Sequence, residues 1–461
     1  MVGRLDLRSW SDNILDSGGP SALIVAAKWW PLSARLAIAL IRHGCRLSAL
    51  CPKGHPLNHI GGLERVERYR GTQSLSCLSR TLRELRPEFV IPCDDGVVAQ
   101  LHSLHAQDPS LRPLIERSLG DPQSFPTTTN RYRLLEIAAE LGILVPETRR
   151  VASADDLASW HRQVAPSAVL KIDGECGGNG VRICNSPAES QAAWRELTAL
   201  PSVATAWKRL IINRDPLALW AQRNRKPVEV TVQQVIRGRP ANSMLACRNG
   251  KLLSLVSVAV LASDGPTGAA TVIQRIDNPA MEDAAKRLAS RLRLTGFYGL
   301  DFMIDSASQA PYLIEMNPRC TQLGHFQFGS TPNLAGVFMA NLRGEPPSAA
   351  GDPLPLDTIA LFPQALNAQN GDGRCAYHSY LDVPWNEPGL IQELKKDTWP
   401  ERRWLSRLYH AVKPLARSVS VEYGAGAQNP VSRAASMRLA ADSNVGATPI
   451  FRLDPPVPRG R

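Results

Sequence analysis

In "PYLIEMNPRC", residues 311–320, an apolar run closes on a carboxylate, Glu315, and an amide, Asn317, two positions apart. Side chains two apart on a strand share a face, so Leu313, Glu315 and Asn317 are expected to point one way. Upstream, "FYGLDFMID" reads as a second strand carrying Asp301, and "SASQA" as the short polar turn between the two. In an antiparallel hairpin about that turn, Asp301 falls within about one register step of Glu315. A carboxylate at a buried strand end is costly unless something compensates it. Three hard oxygen donors suit Mg²⁺, which takes few protein ligands at ~2.1 Å and completes its octahedron with phosphate oxygens. The spacing alone does not exclude an exposed hairpin with unrelated polar residues.

Two further features favour phosphate. In "LKIDGECGGNGV", Lys171 ends a strand, and Gly177, Gly178 and Gly180 follow. Glycines let backbone N–H groups approach phosphate oxygens, and the lysine adds a point charge. The lysine precedes the glycines, so this is no Walker loop, and taken alone a flexible hairpin turn explains it better. Arg131 opens a helical segment about forty residues upstream.

The elements that must position these groups follow from periodicity. The N-terminal third alternates strand and helix. "SALIVAA", "CRLSALC" and "EFVIPC" are apolar runs, and "PLSARLAIALIRHG" has helical spacing with Pro31 at its start and Gly44 at its end. This implies a parallel sheet with helices on its faces, a Rossmann-like half domain. The turn "AAKWWPLSA" lacks G-x-G-x-x-G, which disfavours a dinucleotide there. Turn residues in "GDPQSFPTTTN" mark a boundary. Beyond it come the helix "NRYRLLEIAAELG", strand–glycine loop–strand, the strands "VEVTVQQVIRG" and "GKLLSLVSVAVLAS", and a helix between Asn278 and Gly296. After about residue 345 proline becomes frequent. The segments "DTIALFPQAL" and "YLDVPWNEPGLIQELKK" still look ordered, and "PERRWLSRLYHAVKPLA" suits a basic amphipathic helix.

The chain has 461 residues and a formal net charge of +11. From Lys395 onward twelve Lys/Arg stand against five Asp/Glu, which reads as a solvated basic tail. With no interleaved aromatic platform and no zinc-finger spacing, nucleic acid is not expected as a partner. No apolar run reaches the ~20 residues of a membrane span. The start "MVGRLDLRSWSDNILDSGGP" is unlike a secretory signal. Nine cysteines without C-x-x-C point to a reducing, cytoplasmic setting. Cys51, His55 and His59 are spaced like metal ligands but lack a fourth, and read as loop residues.

Taken in order, these pieces resemble the ATP-grasp superfamily, in its carbamoyl-phosphate-synthetase-like and amino-acid ligase branch. The matching segments are "NRYRLLEIAAELGILVPET", "VLKIDGECGGNGVRI", "VTVQQVIRG", "TGFYGLDFMID" and "YLIEMNPR". The resemblance implies an α/β chain, with a Rossmann-like pre-ATP-grasp domain (1–122) followed by a two-lobed ATP-grasp α+β fold (123–345, its lid at about 150–235). A partly ordered extension (346–416) and a disordered basic tail (417–461) are expected to follow. It further implies that Arg131 and Lys171 hold ATP phosphates and that Gly177, Gly178 and Gly180 belong to a mobile lid. Gln233, Gln234, Val235 and Ile236 would grip adenine on a hinge strand. Asp301, Glu315 and Asn317 would bind Mg²⁺ or Mn²⁺, with Glu315 bridging two ions, and Arg319 would stabilise an acyl phosphate. Three departures stand out: Gln233-Gln234 where an acidic residue is usual, no carboxylate in "RPANS", and Arg131 where lysine is common.

The reaction so implied is transfer of the ATP γ-phosphoryl group to a carboxylate, followed by attack of an amine on the acyl phosphate. Arg275 is expected to meet a substrate carboxylate and to serve the chemistry. Thr321 and His325 are candidates for the acceptor pocket, His325 being equally readable as a structural histidine. Small carboxylates and amines are the expected partners, with room for a homodimer. The competing readings are another ATP-grasp reaction, a carboxylase or carbamoyl-phosphate-type transfer, and a non-catalytic nucleotide-binding protein.

Overall fold

The computed structural model describes residues 18–172, 180–199, 229–265, 268–330, 332–348, 353–367 and 379–396. The amphipathic stretch and basic tail expected near the C-terminus lie outside them. No helix among the described residues is long and apolar enough to cross a membrane.

The apolar runs of the N-terminal third become β1 (Ser21–Val25), β2 (Arg46–Cys51), β3 (Val66–Arg68) and β4 (Phe89–Pro92), a parallel sheet in the order β3-β2-β1-β4. Helices α1 (Pro31–Arg42), α2 (Ser74–Leu85), α3 (Asp95–Gln107) and α4 (Arg112–Leu119) connect and flank it. Pro31 sits at the first turn of α1, where its missing N–H costs nothing. Ten of the twelve α1 residues are buried, so something must cover the side turned away from the sheet. That cover includes α9 (Leu334–Arg343), met much later in the chain. Their approach depends on Gly336, where a Cβ would come within 2.4 Å of the His43 ring. Order reversal about β1 leaves the turns after β1 and β4 together at the sheet's carboxyl edge.

Helix α5 (Arg131–Glu140) leads into a four-stranded antiparallel lobe. Its strands are β5 (Thr148–Val151), β6 (Ala168–Ile172), β7 (Val181–Cys184) and β8 (Val230–Gln233), in the order β5-β8-β6-β7. Helices α6 (Ala154–Gln163) and α7 (Pro187–Thr198) close it over a core that includes Leu157, Trp160, Leu170 and Val232. A capping box, Ser153 with Asp156, starts α6.

The third sheet has seven strands. They are β9 (Gly238–Arg248), β10 (Lys251–Ser263), β11 (Ala270–Arg275), β12 (Gly296–Asp305), β13 (Pro311–Asn317), β14 (Thr358–Ala360) and β15 (Tyr380–Leu381), in the order β13-β12-β9-β10-β11-β14-β15. Thus the proline-rich region after residue 345 supplies two strands to this sheet. Helices α5 and α8 (Pro279–Arg291) bury Leu134, Leu135, Met281 and Leu288 against Leu245, Leu300, Phe302 and Leu313. Asn278 caps α8 as expected, but the helix ends at Arg291 with Leu292 as its C-cap, and Gly296 instead begins β12. Finally α10 (Pro388–Leu394) returns to the N-terminal domain, where Gly61 N donates to Glu387 Oε2.

Candidate active site

Strands β12 and β13 pair antiparallel across residues 306–310, with Asp301 opposite Glu315 and Gly299 opposite Asn317. The register slips once, because Phe302 pairs with Leu313 and leaves Ile314 extra on β13. This bulge corrects the expectation that Leu313 shares a face with Glu315 and Asn317. Leu313 and Met316, three apart, both enter the core, while Glu315 and Asn317 face the other side. Gly299 has no side chain on that other side because Thr321 folds over it: a Cβ there would lie 2.3 Å from Thr321 Cγ2.

The donors converge as a network. Asn317 Nδ2 donates to Asp301 Oδ2 at 3.0 Å, and Asn242 Nδ2, from the neighbouring strand β9, donates to Asp301 Oδ1 at 2.5 Å. Arg131, the first residue of α5, donates to Glu315 Oε2 through Nη2 (2.6 Å) and Nε (3.1 Å), and through Nη1 to the Ile172 carbonyl (3.3 Å). Lys171 is 6% exposed on β6, opposite Val181. Burial, and then the charge of Glu315, pushes the Asp301 carboxyl well above the usual carboxylate range. Burial acts on Glu315 in the same sense, but the Arg131 guanidinium and the Lys171 ammonium outweigh it and hold Glu315 low. A half-buried acid pair with one member inclined to keep its proton is a site where a divalent cation can replace that proton. Two carboxylates and an amide fit Mg²⁺ completed by phosphate oxygens. Among the described residues no group of three His, Cys, Asp or Glu side chains offers an all-protein metal site.

Arg319 lies beside this network. Its Nη2 donates to Asn317 Oδ1 (3.1 Å), its Nη1 to the Cys320 carbonyl (3.4 Å), and its Nε to Asp95 Oδ1 (3.0 Å) in the N-terminal domain. Strand β8 ends at Gln233, and Gln234 N bonds the Glu147 carbonyl while Val235 and Ile236 run on half-buried. Thr148 Oγ1 donates to the Pro146 carbonyl and therefore accepts from Gln233 Nε2 at 3.2 Å. That assignment turns Gln233 Oε1 away from Thr148. Gly177 and Gly178 lie outside the described residues, while Gly180 accepts from Ile172 N and closes the base of the loop.

Not every expected residue joins the cluster. Arg275 sits on the same cross-sheet row, through Val258 and Asn242 to Asp301, but three strand spacings away, about 14 Å. Its guanidinium lies over the Phe328 ring and 3.3 Å from Asp277. His325 is buried, its Nε2 2.8 Å from Asp382 Oδ2, and Asp382 is also paired with Arg35. Through Asp382 the imidazole is thus tied to α1 and to the end of β15, a contact that fits the structural reading of His325. His55, once a candidate ligand, spends both ring nitrogens on backbone: Nδ1 accepts from Leu57 N and Nε2 lies 3.1 Å from the Lys28 carbonyl. Asn242 and Asp95 escaped sequence reasoning, since each reaches the site from a distant part of the chain.

Residues 217–322 match the model of the ATP-grasp domain family. The chain is similar in structure to N5-carboxyaminoimidazole ribonucleotide synthetase in its ADP complex (17% identity, 72% of this chain and 79% of that one, TM-score 0.52). It is likewise similar to the L-amino acid ligase of Bacillus licheniformis (14%, 71% and 76%, TM-score 0.51). The biotin carboxylase domain of Hydrogenobacter thermophilus 2-oxoglutarate carboxylase also matches (12%, 74% and 71%, TM-score 0.50). Residues 217–322 thus match an ATP-grasp domain, and the chain shares the fold of these proteins, with a parallel-sheet domain before it.

Proposed function

We propose that the protein is an ATP-dependent ligase that activates a carboxylate as an acyl phosphate and joins it to an amine. The carrying observation is the convergence of Asp301, Glu315 and Asn317 with Arg131, Lys171 and Arg319 around them. An amino-acid ligase among proteins of the same fold supports the choice of amine. Asp301, Glu315 and Asn317 would hold magnesium, Glu315 being shared where two ions bind. The metal supplies charge neutralisation of the phosphate oxygens. Lys171 and Arg131 add fixed positive charge from the lid and from α5, and Arg319 from the end of β13. The carboxylate oxygen attacks the γ-phosphorus and ADP leaves. The amine then adds to the acyl carbon and phosphate departs. Little covalent work falls on the protein, whose task is alignment and charge stabilisation. Gln233, with its carbonyl oxygen turned away from Thr148, would accept from the adenine amino group, and Val235 and Ile236 would flank the base.

A second reading takes bicarbonate as the carboxylate, since two of the similar structures are carboxylating enzymes by name and one was solved with bicarbonate. An ADP-release screen over carboxylate and amine pairs, with and without bicarbonate, separates the two. Glu315→Gln serves as the control and is expected to abolish turnover. Full activity in that variant refutes the site.

A further inference from the structure

The N-terminal domain presents two adjacent carboxylates at the end of β4, in "PCDDG", and the fold gives them different work. Asp94 is the N-cap of α3. Its carboxylate accepts from Val97 N (2.9 Å) within the helix, and from Ala27 N (2.6 Å) and Lys28 N (3.3 Å) in the turn after β1. The cap and the joining of the two turns are therefore satisfied without Asp95. Asp95 turns instead toward the third sheet and receives Arg319 Nε at 3.0 Å, from a residue 224 positions on.

The contact is well placed to restrict motion. The Arg319 side chain is 13% exposed and that of Asp95 25%, so the pair is only partly screened by water. The backbone reinforces it, since Cys320 N bonds the Pro92 carbonyl at 3.4 Å and lays the end of β13 along the end of β4. With Nε held by Asp95 and Nη2 by Asn317, the plane of the guanidinium is fixed by groups from two domains. We propose that Asp95 is a positioning residue for Arg319, by which the N-terminal domain sets the orientation of the cation that stabilises the acyl phosphate. This rests on the ligase reading given above. Charge and reach both matter: an amide at 95 keeps the shape and gives up the charge-assisted bond, and a glutamate keeps the charge at one methylene's displacement.

The test uses the full-length protein and the variants Asp95→Asn, Asp95→Glu and Arg319→Lys, on the pair of substrates giving the fastest ADP release. For Asp95→Asn the expected result is a kcat reduced about 10- to 100-fold, as for a misplaced transition-state contact. KM for ATP and the calorimetric affinity for MgADP should stay within about twofold. Asp95→Glu should recover part of the loss. A role confined to the N-terminus of α3 would instead lower the unfolding temperature and leave kcat alone, and that result overturns the proposal. Asp95→Asn as active as wild type, beside a crippled Arg319→Lys, overturns the role of Asp95 only. Arg319→Lys as active as wild type shows that no oriented guanidinium is needed and overturns the role of Asp95, while the ligase reading is tested separately by Glu315→Gln.

Discussion

Arg131 stands where an incoming divalent cation has to compete. Its guanidinium meets Glu315 Oε2 at 2.6 and 3.1 Å, with the two side chains 10% and 28% exposed. Two unit charges about 4 Å apart at an effective dielectric of about 20 attract by about 4 kcal/mol. Glu315 is partly open to solvent, which reduces the net value to about 1–2 kcal/mol. Removing the charge in Arg131→Gln should therefore raise the affinity for metal alone about 5- to 30-fold, at about 1.4 kcal/mol per decade. Nucleotide phosphates give the wild-type guanidinium another partner, so ADP should strengthen Mn²⁺ binding to wild type more than to the variant. By linkage, Mn²⁺ should strengthen ADP binding by the same factor. The assay is the Mn²⁺ electron paramagnetic resonance signal, titrated with and without ADP. Arg131 also helps hold the Glu315 carboxyl low, and its loss moves that pKa upward, so pH 8 keeps the carboxylate ionised in both proteins. Mn²⁺ affinity without nucleotide that is equal to or below wild type in Arg131→Gln refutes the competition. No Mn²⁺ binding by either protein, even with ADP, refutes the metal site itself.

Three other expectations concern stability. Burial pushes the His55 imidazole down to about 3. A histidine with a lowered folded pKa contributes stability that is present above its unfolded value, about 6.5, and is lost as pH falls toward the folded one. Between pH 7 and 5 this amounts to about 2 kcal/mol, and urea unfolding of His55→Gln should show a flatter pH profile than wild type. Asp382→Ala leaves Arg35 and His325 buried without their shared carboxylate and should cost about 3–5 kcal/mol by the same measurement. A cost under about 1 kcal/mol would mean the triad is solvated. Gly299→Val places a branched side chain on Thr321 and should destabilise by about 1–3 kcal/mol while weakening MgADP. Unchanged values for both would show that the segment after β13 moves freely away.

What could be read from the sequence was what lies close along the chain. Asp301, Glu315 and Asn317 sit on two strands joined by residues 306–310, so a short antiparallel hairpin alone brings them together. Pro31 and Asn278 mark helix starts by the same local logic. The failures are equally physical. A bulge leaves no compositional trace, so Leu313 was expected on the ligand face and lies in the core. Arg293 adopts φ 49° just after α8, which let a non-glycine residue turn the chain before Gly296. The pairing of β11 with β14 and of β14 with β15 joins segments far apart in sequence, and proline frequency masked it. The groups that tune the site are non-local in the same way: Asn242 reaches Asp301 across 59 residues, Arg131 reaches Glu315 across 184, and Asp95 reaches Arg319 across 224. The oxygen donors are thus set by a hairpin, whereas their protonation, charge balance and orientation are set by packing against strand β9, helix α5 and the N-terminal domain. It follows that substitutions at the donors should remove activity outright, while those at positions 95, 131 and 242 should grade it.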